Sequence, residues 1–116
     1  MSRTATAAAL VLAIASASCT HTYYWWGSYD ASIAAMYSTG TGFDAAAMVD
    51  RLVREVEEAE HRGERVGPGI RAHVGVLLCE AGNTARGIAF LDAEKAAFPE
   101  SAPFLDGMLA RMQRAK

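Results

Sequence analysis

Cysteine is scarce in this sequence. Its 116 residues hold only Cys19 and Cys79, in unlike settings, and two cysteines cannot supply a disulfide framework. Histidine is equally sparse. His21, His61 and His73 are scattered, and none stands at metal-ligand spacing from Cys79 or a carboxylate. His73 and Cys79 lack the third group that nucleophilic catalysis needs. An excess of one charge is missing too. Eleven basic against 13 acidic residues leave a formal −2, so there is neither a basic field for nucleic acid nor an acidic tail. No phosphate-binding loop or nucleotide fingerprint occurs. The apolar run Ala7 to Ala15 covers nine residues, about 14 Å of helix and too short to span a bilayer. These absences predict a single small domain without metal, cofactor or catalytic machinery.

What is present begins with a targeting signal. MSRTATAAALVLAIASAS puts Arg3 before the apolar run and small residues Ser16, Ala17 and Ser18 after it, the layout of a secretory signal. Small residues directly before Cys19 resemble a bacterial lipobox, with Ser16 standing where Leu, Val or Ile is usual. In that motif the cysteine thiol receives a diacylglyceryl group before the signal is removed, and palmitate is a typical further acyl chain. The resemblance implies a signal peptide over 1–18 and a lipid on Cys19 that holds the protein to a membrane. Cleavage after Ala17 or Ser18, leaving a free thiol, is the alternative. Thr20, not Asp, follows the cysteine. By the same resemblance this favours the periplasmic face of the cell outer membrane.

Residues 19–27 read as a lipidated aromatic linker. Tyr23, Tyr24, Trp25 and Trp26 are contiguous, and four adjacent rings are costly to leave in water. Tyr23 lies within about 14 Å of Cys19 along an extended chain. The rings have three possible destinations: lipid headgroups, the helices that follow, or a protein partner for which they form a hot spot. Alternation along an extended segment predicts a split between faces.

From residue 28 to 116 the pattern is helical. The first helix spans about 28–38, with Ile33, Met36 and Tyr37 on one side. After the glycine-bearing break Ser38 to Gly42, a second runs over about 42–62. Thr41 is its expected N-cap, with Asp44 bonding back. Val49, Leu52, Val53, Val56 and Ala59 form its apolar stripe, and its charged opposite face reads as solvated. A third spans about 68–81, opening on Pro68, with Ile70, Val74, Leu77 and Leu78 inward. A fourth covers about 84–98, with Ile88, Leu91 and Ala96 inward. Ser101 is expected to cap a fifth over about 102–114, striped by Leu105, Met108, Leu109 and Met112. No stretch reads convincingly as strand, so the predicted class is all-α, with about five helices.

Residues 71–99 resemble a tetratricopeptide repeat, a pair of helices in a hairpin. Gly75 fills the small position of the first helix, Leu78 the large apolar one and Gly82 the turn. Gly87 fills the small position of the second helix, Leu91 follows it, and Pro99 closes the unit. Glu94 departs from the pattern, which prefers a small residue there. Its carboxylate is expected to meet Arg71 or Arg111, or water. The resemblance implies repeat packing by Gly75, Leu78, Gly82, Gly87, Leu91 and Pro99 in a tetratricopeptide-like body over 28–116.

The segments YYWWGSYD, VGPGIRAHVG and AEKAAFPES also resemble a narrower family of bacterial lipoproteins, the domain of unknown function 4810. Members are commonly encoded beside a lipoprotein resembling the curli secretion channel. The resemblance implies a non-enzymatic accessory or adaptor role in the cell envelope, with a curli-channel-like lipoprotein as a candidate partner and Tyr23, Tyr24, Trp25 and Trp26 as candidate contacts. A peptide-binding repeat module and a structural lipoprotein that self-associates are the competing expectations.

Overall fold

The computed structural model describes residues 23–38, 40 and 42–114. The expected signal peptide 1–18, Cys19 and Thr41 lie outside the described residues. Those described form five α-helices: α1 (Tyr29–Tyr37), α2 (Ala45–His61), α3 (Ile70–Glu80), α4 (Thr84–Ala97) and α5 (Ala102–Arg114). A 3₁₀ turn, Pro99–Ser101, precedes α5. The class is all-α.

Helix α2 supplies most of the core. Met48, Val49, Leu52, Val53, Val56 and Ala59 are buried along one face, and each buried Val or Leu contributes about 1.5–3 kcal/mol. Asp44 starts this helix, its carboxylate accepting the Ala47 N–H at 2.9 Å. That is a side-chain cap, which contributes about 0.5–2 kcal/mol. The helix ends in a Schellman motif. Gly63 takes φ +72°, its N–H donates to the Glu60 carbonyl, and the Glu64 N–H donates to the Ala59 carbonyl. The same two bonds recur at Gly82 and Asn83 after α3, so the turn glycine expected at Gly82 ends that helix.

Helix α1 lies antiparallel to α2 through a polar seam. The Ser28 hydroxyl donates to Glu55 Oε2 at 2.7 Å, and Arg51 Nη2 donates to the Ser32 hydroxyl at 3.1 Å. Ser32 is wholly buried, whereas Tyr37 is 79% exposed and Ile33 only half-buried. The inward face of α1 is therefore Tyr29, Ser32 and Met36, not the expected Ile33, Met36 and Tyr37. A serine can be the buried residue because Arg51 reaches it from α2.

Helices α3 and α4 pair most closely. A Cβ on Gly87 would stand 2.6 Å from the Gly75 carbonyl oxygen, and one on Gly75 would stand 2.8 Å from the Gly87 carbonyl oxygen and 2.9 Å from Leu91 Cγ. Two side chains reduced to hydrogen let the backbones meet. Leu78 and Leu91 are buried beside the crossing. The inward row of α4 is Gly87, Leu91 and Glu94, at helical spacing, and the expected Ala96 falls on the exposed side. Helix α3 starts at Ile70, later than expected, because Gly69 takes φ +89° and keeps Pro68 in the preceding turn.

Helix α5 packs against α4 through Leu105, which is buried, with Met108, Leu109 and Met112 half-covered. Lys95 joins the two helices, 2.8 Å from Asp106 and 2.9 Å from Asp92. The Ser101 hydroxyl does not cap α5. It donates to the Phe98 carbonyl at 2.7 Å, closing the turn that Pro99 opens.

Candidate functional site

The aromatic linker docks on the loop between α2 and α3. Trp25 forms an isolated parallel bridge with Val66. The Trp25 N–H donates to the Arg65 carbonyl at 2.7 Å, and the Gly67 N–H donates to the Trp25 carbonyl at 2.9 Å. The Trp25 side chain packs against the core cluster that holds Val66 and Ile70. Its indole also covers Gly27, where any Cβ would collide with the ring. Tyr24 is half-buried and meets the Phe98 ring edge-on, with centroids 6.0 Å apart.

The other two rings face outward. Tyr23 is 66% and Trp26 37% exposed. Trp26 rests on Gly67, where a Cβ would stand 3.0 Å from the indole. Tyr23 stands edge-on to Tyr24 at 4.8 Å. Arg65 lies over both tyrosines, its guanidinium carbon 4.3 Å from the Tyr23 centroid and 5.3 Å from that of Tyr24. Such cation–π contacts contribute about 0.5–1 kcal/mol at exposed sites. The four rings, Gly27, Glu64 and Arg65 line a shallow hollow of about 520 Å³.

Glu94 supports this platform from below. It is buried, and its Oε1 accepts the Gly69 N–H at 2.6 Å. The carboxylate thus sits at the N-terminus of α3, where N–H groups lack helical partners and the helix dipole favours negative charge. Arg71 is not its partner, as had been expected. The Arg71 Nε donates to Glu60 Oε1 at 2.6 Å instead, and Arg111 makes no ion pair among the described residues. Glu94 Oε2 and Arg71 Nη1 are buried without a hydrogen-bond partner among the described residues.

His73 joins α3 to α1. Its Nδ1 lies 2.8 Å from the Tyr29 hydroxyl, and the hydroxyl donates to it when the ring carries its proton on Nε2. Burial pushes the His73 pKa below the ordinary histidine value, and a smaller effect of Glu80 opposes this. Burial, then the neighbouring Asp30, raises that of Tyr29. Cys79, with its thiol within reach of the Thr84 carbonyl, lines a separate apolar hollow of about 210 Å³ between α3, α4 and α5, with Ile88, Leu109 and Met112. Among the described residues no group of three His, Cys, Asp or Glu gathers around one point, and no helix is long and apolar enough to cross a membrane.

Of the residues singled out in the sequence, the structure brings Tyr23, Tyr24, Trp25 and Trp26 together at one corner. Gly75, Leu78, Gly87 and Leu91 lie at the α3–α4 crossing, with Gly82 and Pro99 at the ends of those helices. Cys19 lies outside the described residues. Sequence reasoning did not find Arg65, Val66 or Phe98, which complete the aromatic corner from distant segments. The departure at Glu94 was the one signal that pointed to the loop's support.

No curated protein and no solved structure matches the chain significantly. The family model for the domain of unknown function (DUF4810) does match, over residues 23–108. That span opens on the first ring of the aromatic corner and closes inside α5, taking in all the elements that build the corner, and the chain belongs to this family.

Proposed function

We propose that the protein is a non-enzymatic, lipid-anchored adaptor of the bacterial cell envelope. In this reading Cys19 carries the lipid and holds the chain to the periplasmic face of the outer membrane. The helical body, with α3 and α4 as a tetratricopeptide-like pair, presents a docking surface to an envelope protein. A curli-channel-like lipoprotein is the candidate that the family resemblance suggests.

One observation supports the docking role above the others. Trp25 and Tyr24 fix the linker to the body, while Tyr23 and Trp26 remain exposed beside Arg65. A segment that served only as a plug would gain by covering all four rings. Trp, Tyr and Arg are the residue types enriched at interface hot spots, and here they are held in fixed positions on a folded body. Such pre-ordering lowers the entropy cost of binding.

The test is a crosslinked pull-down with a C-terminally tagged, natively lipidated chain. Beside it run a Tyr23→Ala, Trp26→Ala double variant and a Cys19→Ala variant. The expected result is an envelope protein recovered with the parent chain and lost from the double variant, whose circular dichroism stays unchanged. Cys19→Ala should leave the membrane fraction. Equal recovery by parent and double variant would move docking away from the aromatic corner. Only a second copy of the chain in the crosslink would replace the adaptor with a self-associating lipoprotein.

A further inference from the structure

The exposed half of the aromatic corner carries one unmatched charge. Arg65 is exposed and stacked over Tyr23 and Tyr24, and among the described residues no carboxylate pairs with it. Its charged neighbours are engaged with one another. Glu64, the acid on the rim of the hollow, is engaged by Arg62 at 3.0 Å, and Arg62 also reaches Glu58 at 3.9 Å. Arg71 is held by Glu60 and Arg86 by Glu57. The hollow is also lined by Tyr23, Tyr24 and Trp26, whose side chains carry hydroxyls and an indole N–H, and an indole can only donate.

We propose that this corner docks its protein partner through an acidic side chain, an Asp or Glu received by Arg65, in a segment that also presents an apolar or aromatic residue to the hollow beside Trp26. The inference rests on the docking reading above and adds the chemistry of the partner. Charge complementarity selects the occupant. Arg65 is the cation of this rim that no carboxylate holds among the described residues, so an acidic side chain gains a charge-assisted hydrogen bond there that an apolar segment cannot make, and a basic segment meets like charge. The tyrosine rings hold the guanidinium plane in place, so its fork of N–H groups is oriented before the partner arrives. The chain as a whole carries a formal −2. The attraction is therefore local to this corner and does not arise from the overall field.

The purified full chain, immobilised through its C-terminus, is panned against a displayed library of random dodecapeptides. Arg65→Gln, Arg65→Glu and Trp26→Ala variants run in parallel. Among the described residues Arg65 makes no side-chain hydrogen bond or ion pair to the body, so its variants should fold, and circular dichroism checks this. The expected result is that the parent chain enriches peptides bearing Asp or Glu near an apolar residue. Changing that acid to Gln, or Arg65 to Gln, should weaken binding about tenfold, the scale of one charge-assisted hydrogen bond. Arg65→Glu should invert the preference toward Lys and Arg.

Peptides that need Trp26 but show no acidic preference would overturn the inference and leave the docking reading standing. Absence of any enriched peptide would overturn the inference. Vesicles of phosphatidylcholine, with and without phosphatidylglycerol, close the test. If Arg65 governs binding to the anionic vesicles and no peptide is enriched, both readings fail and the corner belongs to the membrane surface.

Discussion

Replacing Gly87 with alanine should destabilise the fold, although alanine is the better helix former. The gain in helix propensity is about 1 kcal/mol. Against it stands the crossing with α3. The new methyl would sit 2.6 Å from the Gly75 carbonyl oxygen and 3.0 Å from the Cys79 backbone nitrogen, and would collide with the Cys79 sulfur. Ordinary contact needs at least 3.4 Å, so the two helices must separate by close to an ångström. Backbone cannot swing aside as a flexible side chain can. Overpacking of this kind costs about 1–3 kcal/mol, and the shift also loosens Leu78 and Leu91, which are buried beside it. The net expectation is a loss of about 1–2 kcal/mol, or about 5–15 °C in Tm for a domain of this size. Gly107→Ala in α5 is the internal control. There the nearest atom to the new methyl is Arg111 Nη1 at 3.6 Å, an ordinary contact with a flexible tip, so the propensity gain should survive and raise Tm by a few degrees. Thermal melts followed by circular dichroism at 222 nm read both. A Gly87→Ala protein that melts at or above the parent would refute the close-crossing argument.

The aromatic corner should separate into two classes by stability. Trp25→Ala removes a ring packed on the core and should cost about 2–3 kcal/mol, whereas Tyr23→Ala and Trp26→Ala should each cost under about 1 kcal/mol; urea denaturation of the three variants checks the order. Stability should also fall with acid. The His73 pKa is lowered in the folded state by burial, so its contribution is complete above the unfolded value of about 6.5 and is lost as pH falls through the lower folded value. The urea midpoint should therefore drop between pH 7 and pH 5 by more in the parent than in His73→Gln. Arg51→Met should loosen α1, because it leaves the buried Ser32 hydroxyl without the donor that reaches it at 3.1 Å, a loss of about 1–3 kcal/mol; proteolysis near the α1–α2 turn should speed up accordingly.

The periodicity that marks α2 was legible because its stripe is a property of one segment. Val49, Leu52, Val53, Val56 and Ala59 declare a face without reference to anything else, and all are buried. The glycines at 75 and 87 were legible for a related reason, since small residues at repeat spacing announce a close crossing. The misplaced features each depend on a partner distant in sequence. Ser32 could be recognised as buried only by knowing that Arg51 faces it from α2. Ala96 lost its inward place to Glu94, because a carboxylate there meets the start of α3. Pro68 did not open α3, because Gly69 entered the left-handed region and became the cap. The aromatic run announced itself, but not its division of labour. Trp25 faces inward because its backbone bridges Val66, forty-one residues along, and nothing in the local pattern names that register.

Glu94 carries this argument to a testable end. The loop from Arg65 to Gly69 is held from two sides. On one side two backbone hydrogen bonds tie it to Trp25, and Trp26 rests on Gly67. On the other, the Gly69 N–H is bound by the buried Glu94 carboxylate at 2.6 Å. A change at position 94 touches none of the four rings, yet it should be felt at the docking corner through this loop. Glu94→Ala removes the acceptor and leaves the Gly69 N–H without its partner, at a cost of about 1–3 kcal/mol. Glu94→Gln keeps a carbonyl oxygen for that N–H and should retain most of the stability, losing only the charge at the helix N-terminus. If the loop opens as a unit, amide hydrogen exchange at Trp25 and Gly67 should quicken by tenfold or more in Glu94→Ala and much less in Glu94→Gln. Faster exchange confined to Gly69 would mean that the core contacts of Trp25 hold the aromatic corner without help from Glu94. The carboxylate would then be a cap for α3 alone, and the departure at this position would concern the stability of the helix pair, not the shape of the docking surface.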